Sequence, residues 1–219
     1  MDQDLTKMSR DLQDRIGDWV RARGYKGKNT TNLVCRKPLG EGRDVLFDIV
    51  RNKMWKHIIW VPSLSCLDPE VHKIANIVPL EVGDVTPPMS LIFGNRVRFI
   101  AGEKISEMPF VKDGVNIESL LQEFKVLFER AEEYFLPHVN NRAVTLESLC
   151  HPEVVRRLCM ITGNIRETKI AHMILLGESK QRITEMMELF DREPDDWKIA
   201  GLESPFTNFK HRILEIYLS

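Results

Sequence analysis

Apolar and polar residues alternate most persistently in residues 32–61. Within this stretch Val45, Phe47 and Ile49 would share one face of an extended segment, with Asp48 on the opposite face. A period of two residues with one apolar face is typical of a strand that is buried on one side. We therefore predict that residues 32–61 form a central antiparallel sheet, around which helices close the core.

Turn-forming residues divide this stretch into three predicted strands, which are residues 33–37, 44–51 and 55–61. The first reversal falls at residues 38–42, which contain proline and glycine, and the second at Asn52-Lys53. The third strand carries apolar residues on both sides, which indicates an interior position in the sheet. Pro62 has no amide hydrogen to donate and is expected to end the ladder of this strand.

Two long segments, residues 5–23 and 117–135, carry apolar residues at steps of three and four. This spacing predicts amphipathic helices that cover the sheet. Gly24 can adopt the left-handed conformation that closes the first helix, and Asn116 is a good capping residue for the second. Pro137 is expected to end the second helix.

The region between these long helices is rich in proline and glycine, so it predicts short elements. Asp68 should cap a short helix that runs to about residue 75. One or two short strands at most are expected beyond it, at residues 90–93 and 96–100, joined at Gly94-Asn95.

After residue 141 the composition changes to helix-forming residues without strand alternation. Thr145 is expected to cap a short helix. Further helices are predicted at residues 152–162, 164–176, 178–190 and 205–218. The turn at Gly177 predicts that the helices on either side of it form an antiparallel pair.

These elements together predict an α+β protein. Residues 1–140 would hold an N-terminal helix and an antiparallel sheet covered by a long helix, and residues 141–219 a helical extension packed on that unit, unless the whole chain forms one continuous domain. With 219 residues and 43% apolar content, the chain can bury a substantial core.

Charge and cysteine usage restrict the class of function. The chain has 31 basic and 32 acidic residues, which implies no attraction of the whole molecule to nucleic acid or to a membrane. No apolar run approaches the roughly 18 residues needed to cross a bilayer, and the acidic start predicts no signal peptide. The cysteines are dispersed, which favours free thiols in the cytoplasm; they are Cys35, Cys66, Cys150 and Cys159.

Two stretches of like charge are the candidate binding sites. Residues 21–37 carry six basic residues and no acid; we call them the basic patch, which comprises Arg21, Arg23, Lys26, Lys28, Arg36 and Lys37. Residues 185–196 carry six acids and one base; from them we define the acidic face as Glu185, Glu188, Asp191, Asp195 and Asp196. An acidic surface suits an inhibitor that covers the cationic cleft of a nuclease, and a basic one suits phosphate, an acidic protein or RNA.

No motif of catalysis, metal binding or cofactor binding is present, so no catalytic residue, metal or cofactor is predicted. The alternative is a metal-dependent phosphodiester hydrolase, in which Asp44, Asp48 and Glu70 would bind magnesium and Lys53 or Lys56 would activate water. Two weaker groups with zinc-ligand chemistry lack the usual paired spacing; they are Cys66 with His72, and Cys150, His151 and Cys159. His57 is expected to be a hydrogen-bonded core histidine.

One resemblance bears on function. A helix that ends in Arg23-Gly24-Tyr25-Lys26, an antiparallel sheet and a later helix that ends in Phe135-Leu136-Pro137 together resemble a bacterial family of small intracellular α+β proteins of unknown function. Some members of that group are associated with toxin-immunity loci. The resemblance implies binding to a protein partner, such as a toxin or effector, and it supplies no catalytic residues.

The leading hypothesis is therefore a non-enzymatic cytoplasmic protein that binds a basic partner protein, of the immunity or antitoxin type. Nucleic acid and membranes are not expected partners. In residues 152–191, which resemble a helix-turn-helix in length, basic and acidic residues balance, whereas DNA contact needs net positive charge.

Overall fold

The protein is described here from a computed structural model. The residues described are 3–29, 32–54, 57–77, 91–104, 116–158, 165–192 and 205–218. Predictions that fall on other residues lie outside the described part of the chain.

Within these residues one antiparallel sheet has five strands, which follow one another in chain order across the sheet. The strands are β1 Lys26–Asn29, β2 Leu33–Gly40, β3 Arg43–Met54, β4 His57–Leu67 and β5 Leu91–Arg96. The helices are α1 Gln3–Ala22, α2 Pro69–Ala75, α3 Val97–Ile100, α4 Ile117–Val139, α5 Arg142–Leu149, α6 Pro152–Leu158, α7 Ile165–Leu175, α8 Lys180–Arg192 and α9 Pro205–Tyr217. The predicted α+β class is confirmed.

The larger hydrophobic core lies between the inner face of the sheet and the helices α1 and α4. Val45, Phe47 and Ile49 are fully buried on that face, as the alternation predicts. The ring of Phe47 meets those of Phe124 and Phe128 on α4, at centroid distances of 5.9 and 5.0 Å. Because a buried large apolar side chain contributes about 1.5–3 kcal/mol, this cluster is a main source of stability.

A smaller core joins α2 to the helices α7, α8 and α9. Val71 and Ile74 on α2 are buried there with Ile170 and Met187. In contrast, Leu158 at the end of α6 is buried in the larger core beside the sheet. Packing therefore does not follow chain order, because α2 joins the C-terminal helices whereas α6 joins the sheet.

Several predicted helix boundaries are confirmed. Gly24 has a φ of 91° just after α1, so it closes that helix in the left-handed conformation. Asp68 caps α2 by accepting hydrogen bonds from the amides of Glu70 and Val71. Asn116 caps α4 in the same way.

Two predictions at helix ends and one about a strand are wrong. Pro137 does not terminate α4, which continues to Val139. At the end of α4 the guanidinium of Arg43 donates to the carbonyl oxygens of Val139 and Asn140, at 3.2 and 2.8 Å, and so stabilises the terminal carbonyls. Thr145 lies inside α5, whose cap is Asn141. The segment predicted as a strand at residues 96–100 is mostly the short helix α3, and Gly94-Asn95 belongs to β5 instead of joining two strands.

The sheet is also longer than predicted. β3 runs through Asn52-Lys53 to Met54, so the reversal falls later than expected. β4 continues through Pro62, which pairs with Ile49. Pairing between β4 and β5 begins only at Ser63, and proline is tolerated where a strand lacks a neighbour on one side.

The edge strand β1 was not predicted. Its close approach to β2 depends on Gly27, because a Cβ atom there would lie 2.0 Å from the carbonyl oxygen of Val34 and 2.7 Å from the Cα of Cys35. A glycine allows two backbones to approach closely in a sheet.

Candidate functional site

The described residues of the acidic face, which are Glu185, Glu188 and Asp191, lie on the outer side of α8. Ile183, Met187 and Phe190 are buried in the smaller core, whereas Glu185 and Glu188 are exposed. This division follows from the helical spacing of three and four residues.

Glu185 and Glu188 form no ion pair within the described residues. The carboxylate of Glu185 accepts a hydrogen bond from the side-chain amide, Nε2, of Gln181 at 2.9 Å. Asp191 differs, because it pairs with Lys210 on α9. The structure thus places Glu185, Glu188 and Asp191 on one helix, and Asp195 and Asp196 lie outside the described residues.

An apolar residue lies beside these acids. Leu189 is 51% exposed, directly after Glu188 and four residues after Glu185. Arg192, also exposed, follows one turn later. A single exposed leucine is normal on a protein surface and does not by itself mark a binding site, but its apolar area would be favourable to bury on association.

In the basic patch, by contrast, four of the six residues have an acidic partner among the described residues. Arg21 pairs with Asp18 at 2.6 Å, and Arg36 lies 3.9 Å from Asp44. Within the described residues, Lys26 and Lys28 alone of the patch form no ion pair. They lie on the exposed edge strand β1, and Lys26 is opposite Arg36 on β2, so the three side chains share the outer face of the sheet.

The remaining two basic residues bind the carboxylate of Glu132, which is only 5% exposed. Arg23 donates to its Oε2 at 2.7 Å, and Lys37 to its Oε1 at 2.9 Å. The hydroxyl of Tyr25 also donates to Oε1, at 3.1 Å, and Arg23 lies over the ring of Trp19 at 5.0 Å. The patch predicted from sequence is therefore split between the surface and a buried polar cluster.

The charge state of this cluster follows from its contacts. Burial alone would raise the pKa of Glu132, but the hydrogen bonds from Lys37 and Arg23 outweigh it and hold the pKa below its ordinary value. Burial and the neighbouring Glu132 raise the pKa of Tyr25, so its hydroxyl keeps its proton and remains a donor.

A second buried polar cluster lies between the two cores. Asp68, fully buried, accepts from Nε and Nη2 of Arg142 at 2.8 and 3.2 Å, and Arg142 also binds Glu70. Burial alone would raise the pKa of Asp68, but the hydrogen bonds from Arg142 and from the amide of Val71 outweigh it and lower this pKa. His172 is buried with its Nδ1 2.8 Å from the carbonyl oxygen of Thr168, and burial lowers its pKa. The ion pair between Arg142, the first residue of α5, and Asp68, the cap of α2, holds the two helix ends together.

The residues of the hydrolase alternative do not converge. Asp44 and Asp48 are four residues apart on β3, about 13 Å at the rise of a strand. Asp48 accepts from the hydroxyl of Ser63, and burial raises its pKa, while Glu70 is engaged by Arg142. The side chains of Lys53 and Lys56 lie outside the described residues.

The described members of the cysteine and histidine groups do not come together as a metal site. Cys66 is buried, with the pKa of its thiol raised by burial to about 12, and the Nδ1 of His72 lies 3.1 Å from Asn76. Cys150 is exposed. Cys159 and the side chain of His57 lie outside the described residues. In the part of the chain that is described, no group of three or more histidine, cysteine, aspartate or glutamate residues could hold a metal ion.

Comparison with other proteins does not assign a family. No protein-family model, curated protein or solved structure matches the chain. The resemblance to a bacterial family with members at toxin-immunity loci stays a prediction. Among the described helices, none is long and apolar enough to span a membrane.

The sequence analysis did not predict the two buried polar clusters. Glu132 is the acid of the first cluster, and Asp68 and Arg142 form the ion pair of the second. A signal for Glu132 is present, because it lies four residues after Phe128 and one after Ala131, on the apolar side of α4. A carboxylate at a core position of a helix indicates a buried partner. No comparable signal pairs Asp68 with Arg142, which are far apart in sequence.

Proposed function

We propose that the protein is a non-enzymatic binding protein that presents the acidic face of α8 to a basic partner protein. The supporting observation is the contrast between the two charged regions. Glu185 and Glu188 have no cationic partner among the described residues, whereas Arg23 and Lys37 pair with acids of α4, which are Glu129 and Glu132.

Exposed, unneutralised carboxylates attract a cationic surface over a distance of several ångströms and accelerate association. Leu189 adds apolar area that a partner can cover. Together these features fit an inhibitor that covers the cationic cleft of a toxin or effector, in the manner of an immunity protein. The site requires no reacting group, in keeping with a binding role.

The proposal includes a cytoplasmic location. Cys35 and Cys66 are buried free thiols without a disulfide partner among the described residues. Free thiols are typical of proteins in a reducing compartment.

The test is a pull-down from a lysate of the source organism with wild-type protein as bait. The variant Glu185→Lys/Glu188→Lys reverses the unpaired acids and leaves the Asp191–Lys210 pair in place. The matched control Lys26→Glu/Lys28→Glu reverses the exposed bases of β1. We expect the acidic reversal alone to abolish recovery of a specific partner. Unchanged recovery with the acidic reversal, or loss with the basic one, would contradict the proposal.

A further inference from the structure

A shallow depression of about 340 Å³ lies where α4 and α6 meet the turn that follows α3. Its lining contains two arginines, and we call it the Arg130–Arg157 depression. The lining residues are Ala101, Arg130, Glu133, Tyr134 and Arg157. It is separate from the acidic face on α8, so any role it has is independent of the proposed function.

Arg157 is held in place from two sides. Its guanidinium carbon lies 3.5 Å from the ring centroid of Tyr134, and its Nε donates to the carbonyl oxygen of Ile100 at 2.8 Å. The backbone carbonyl of Arg157 accepts a hydrogen bond from Asn95 at 2.9 Å. A guanidinium fixed on an aromatic ring loses less conformational entropy when it binds a ligand.

Arg130 approaches from α4. Its Nη2 donates to the carbonyl oxygen of Ala101 at 2.9 Å. A guanidinium has five N–H donors, and in the described part of the chain each of these two arginines donates a single hydrogen bond. Most of their donors therefore have no acceptor among the described residues.

Gly102 lies against one of these donors. Its φ is 90°, and a Cβ atom there would lie 3.2 Å from Nη2 of Arg157. Because glycine has no side chain, the guanidinium of Arg157 can approach the backbone of Gly102 this closely.

We propose that the Arg130–Arg157 depression binds the phosphate group of a small molecule. The fork of N–H donors on a guanidinium matches the spacing of phosphate oxygens, and two such forks give several charge-assisted hydrogen bonds. Glu133 lies in the same lining and opposes an anion. Its carboxylate lowers the affinity and provides a way to test the site, since its removal strengthens binding.

The alternative is that the two arginines serve only the stability of the fold. They would then stabilise the carbonyl oxygens at the end of α3, where positive charge is favourable. This alternative predicts loss of stability when either arginine is replaced. It predicts no phosphate binding, and no gain of affinity when Glu133 is changed.

The experiment is a titration of the full chain with inorganic phosphate, followed through the side-chain Nε–H signals of Arg130 and Arg157 by NMR. Sodium chloride at matched ionic strength controls for screening, and sodium acetate separates phosphate from carboxylate. We expect saturable shifts with phosphate, weaker ones with acetate and none with chloride. Equal shifts with chloride would overturn the site, and tighter binding of acetate would overturn its assignment to phosphate.

Four variants complete the test. Arg130→Gln and Arg157→Gln should each weaken phosphate binding about tenfold, because each removes charge-assisted hydrogen bonds. Glu133→Gln should strengthen it about two- to fivefold, as expected when one exposed like charge is removed. Arg156→Gln, on the exposed side of α6, is the matched control and should change nothing.

The result with Glu133→Gln carries the most weight, because no loss of folding can increase affinity. If Arg157→Gln unfolds the protein, Arg130→Gln and Glu133→Gln still decide the question. Weakening by Arg156→Gln equal to that by Arg130→Gln would overturn the proposal, as would unchanged affinity in Glu133→Gln.

Discussion

The basic patch and the acidic face are similar in sequence but different in structure. Each is a run of like charges that predicts an exposed, charged surface. In the fold, Glu132 and Glu129 on α4 pair with Arg23 and Lys37, and Asp18 pairs with Arg21. On α8, Glu185 and Glu188 have no such partner among the described residues.

The difference shows that a run of like charge indicates a binding surface only where the fold does not supply the opposite charge. Glu132 comes from α4, about a hundred residues further along the chain. We infer that Arg23 and Lys37 of the basic patch contribute to stability, and we propose that the acidic face contributes to association. The following predictions test that division.

The largest effect on stability is expected from Glu132→Gln. This change removes the carboxylate that pairs with both Arg23 and Lys37. Arg23 keeps its second partner Glu129, whereas Lys37 is left without an acidic partner among the described residues. We expect a loss of about 3 kcal/mol in the free energy of unfolding. Breaking a buried ion pair typically costs about 3–5 kcal/mol, and the lower value applies here because both cations are partly exposed. Urea unfolding measures it.

Glu133→Gln is the control for this change, because Glu133 is the next residue of α4 and is exposed. It should alter the free energy of unfolding by no more than about 0.5 kcal/mol. Equal effects of the two variants would show that the buried ion cluster does not hold α1 and β2 to α4.

The stability that Glu132 provides should depend on pH. The pKa of Glu132 is lower in the folded protein than its ordinary value of 4.5. Its contribution is therefore complete above about pH 4.5 and is lost as the pH falls through the lower, folded value. The difference in free energy of unfolding between wild type and Glu132→Gln should shrink on acidification below pH 4.5. A difference that stays constant or grows would contradict the assigned ion pairs.

A moderate effect is expected from Gly27→Ala on the edge strand β1. The added Cβ would collide with the backbone of Val34 and Cys35, so β1 must shift or detach. We expect a loss of about 1–2 kcal/mol, since an edge strand can yield more easily than an interior one. Amide hydrogen exchange should show lost protection in β1. Full protection there would mean that the glycine is not needed for pairing.

The smallest effect on stability is expected from Glu188→Gln on the acidic face. Glu188 is exposed and forms no ion pair within the described residues, so the free energy of unfolding should change by less than about 0.5 kcal/mol. Thermal unfolding checks this. A loss above about 1 kcal/mol would show that the acidic face serves the fold.

Much of the fold follows from local pattern. The alternation at Val45, Phe47 and Ile49 predicts the central strand, and the helical spacing with Asn116 predicts α4. These signals lie within a few residues of each other, so the sequence displays them directly.

The predictions fail where contacts between residues far apart in the sequence determine the structure. Pro137 is tolerated near the end of α4, where Arg43 from β3 supports the terminal carbonyls. β1 has no alternation to reveal it and forms by pairing with β2. The neutralisation of Arg23 and Lys37 likewise depends on Glu132, a residue brought close only by packing of α4 on the sheet.

The most direct test is the rate at which the wild-type protein associates with the partner recovered by pull-down, measured at increasing salt concentration. We predict fast association that slows steeply with salt, and a rate reduced about tenfold or more in Glu185→Lys/Glu188→Lys at low salt. Lys26→Glu/Lys28→Glu should associate at least as fast as wild type. A rate that is independent of salt and unchanged by reversal of Glu185 and Glu188 would contradict a binding role for the acidic face.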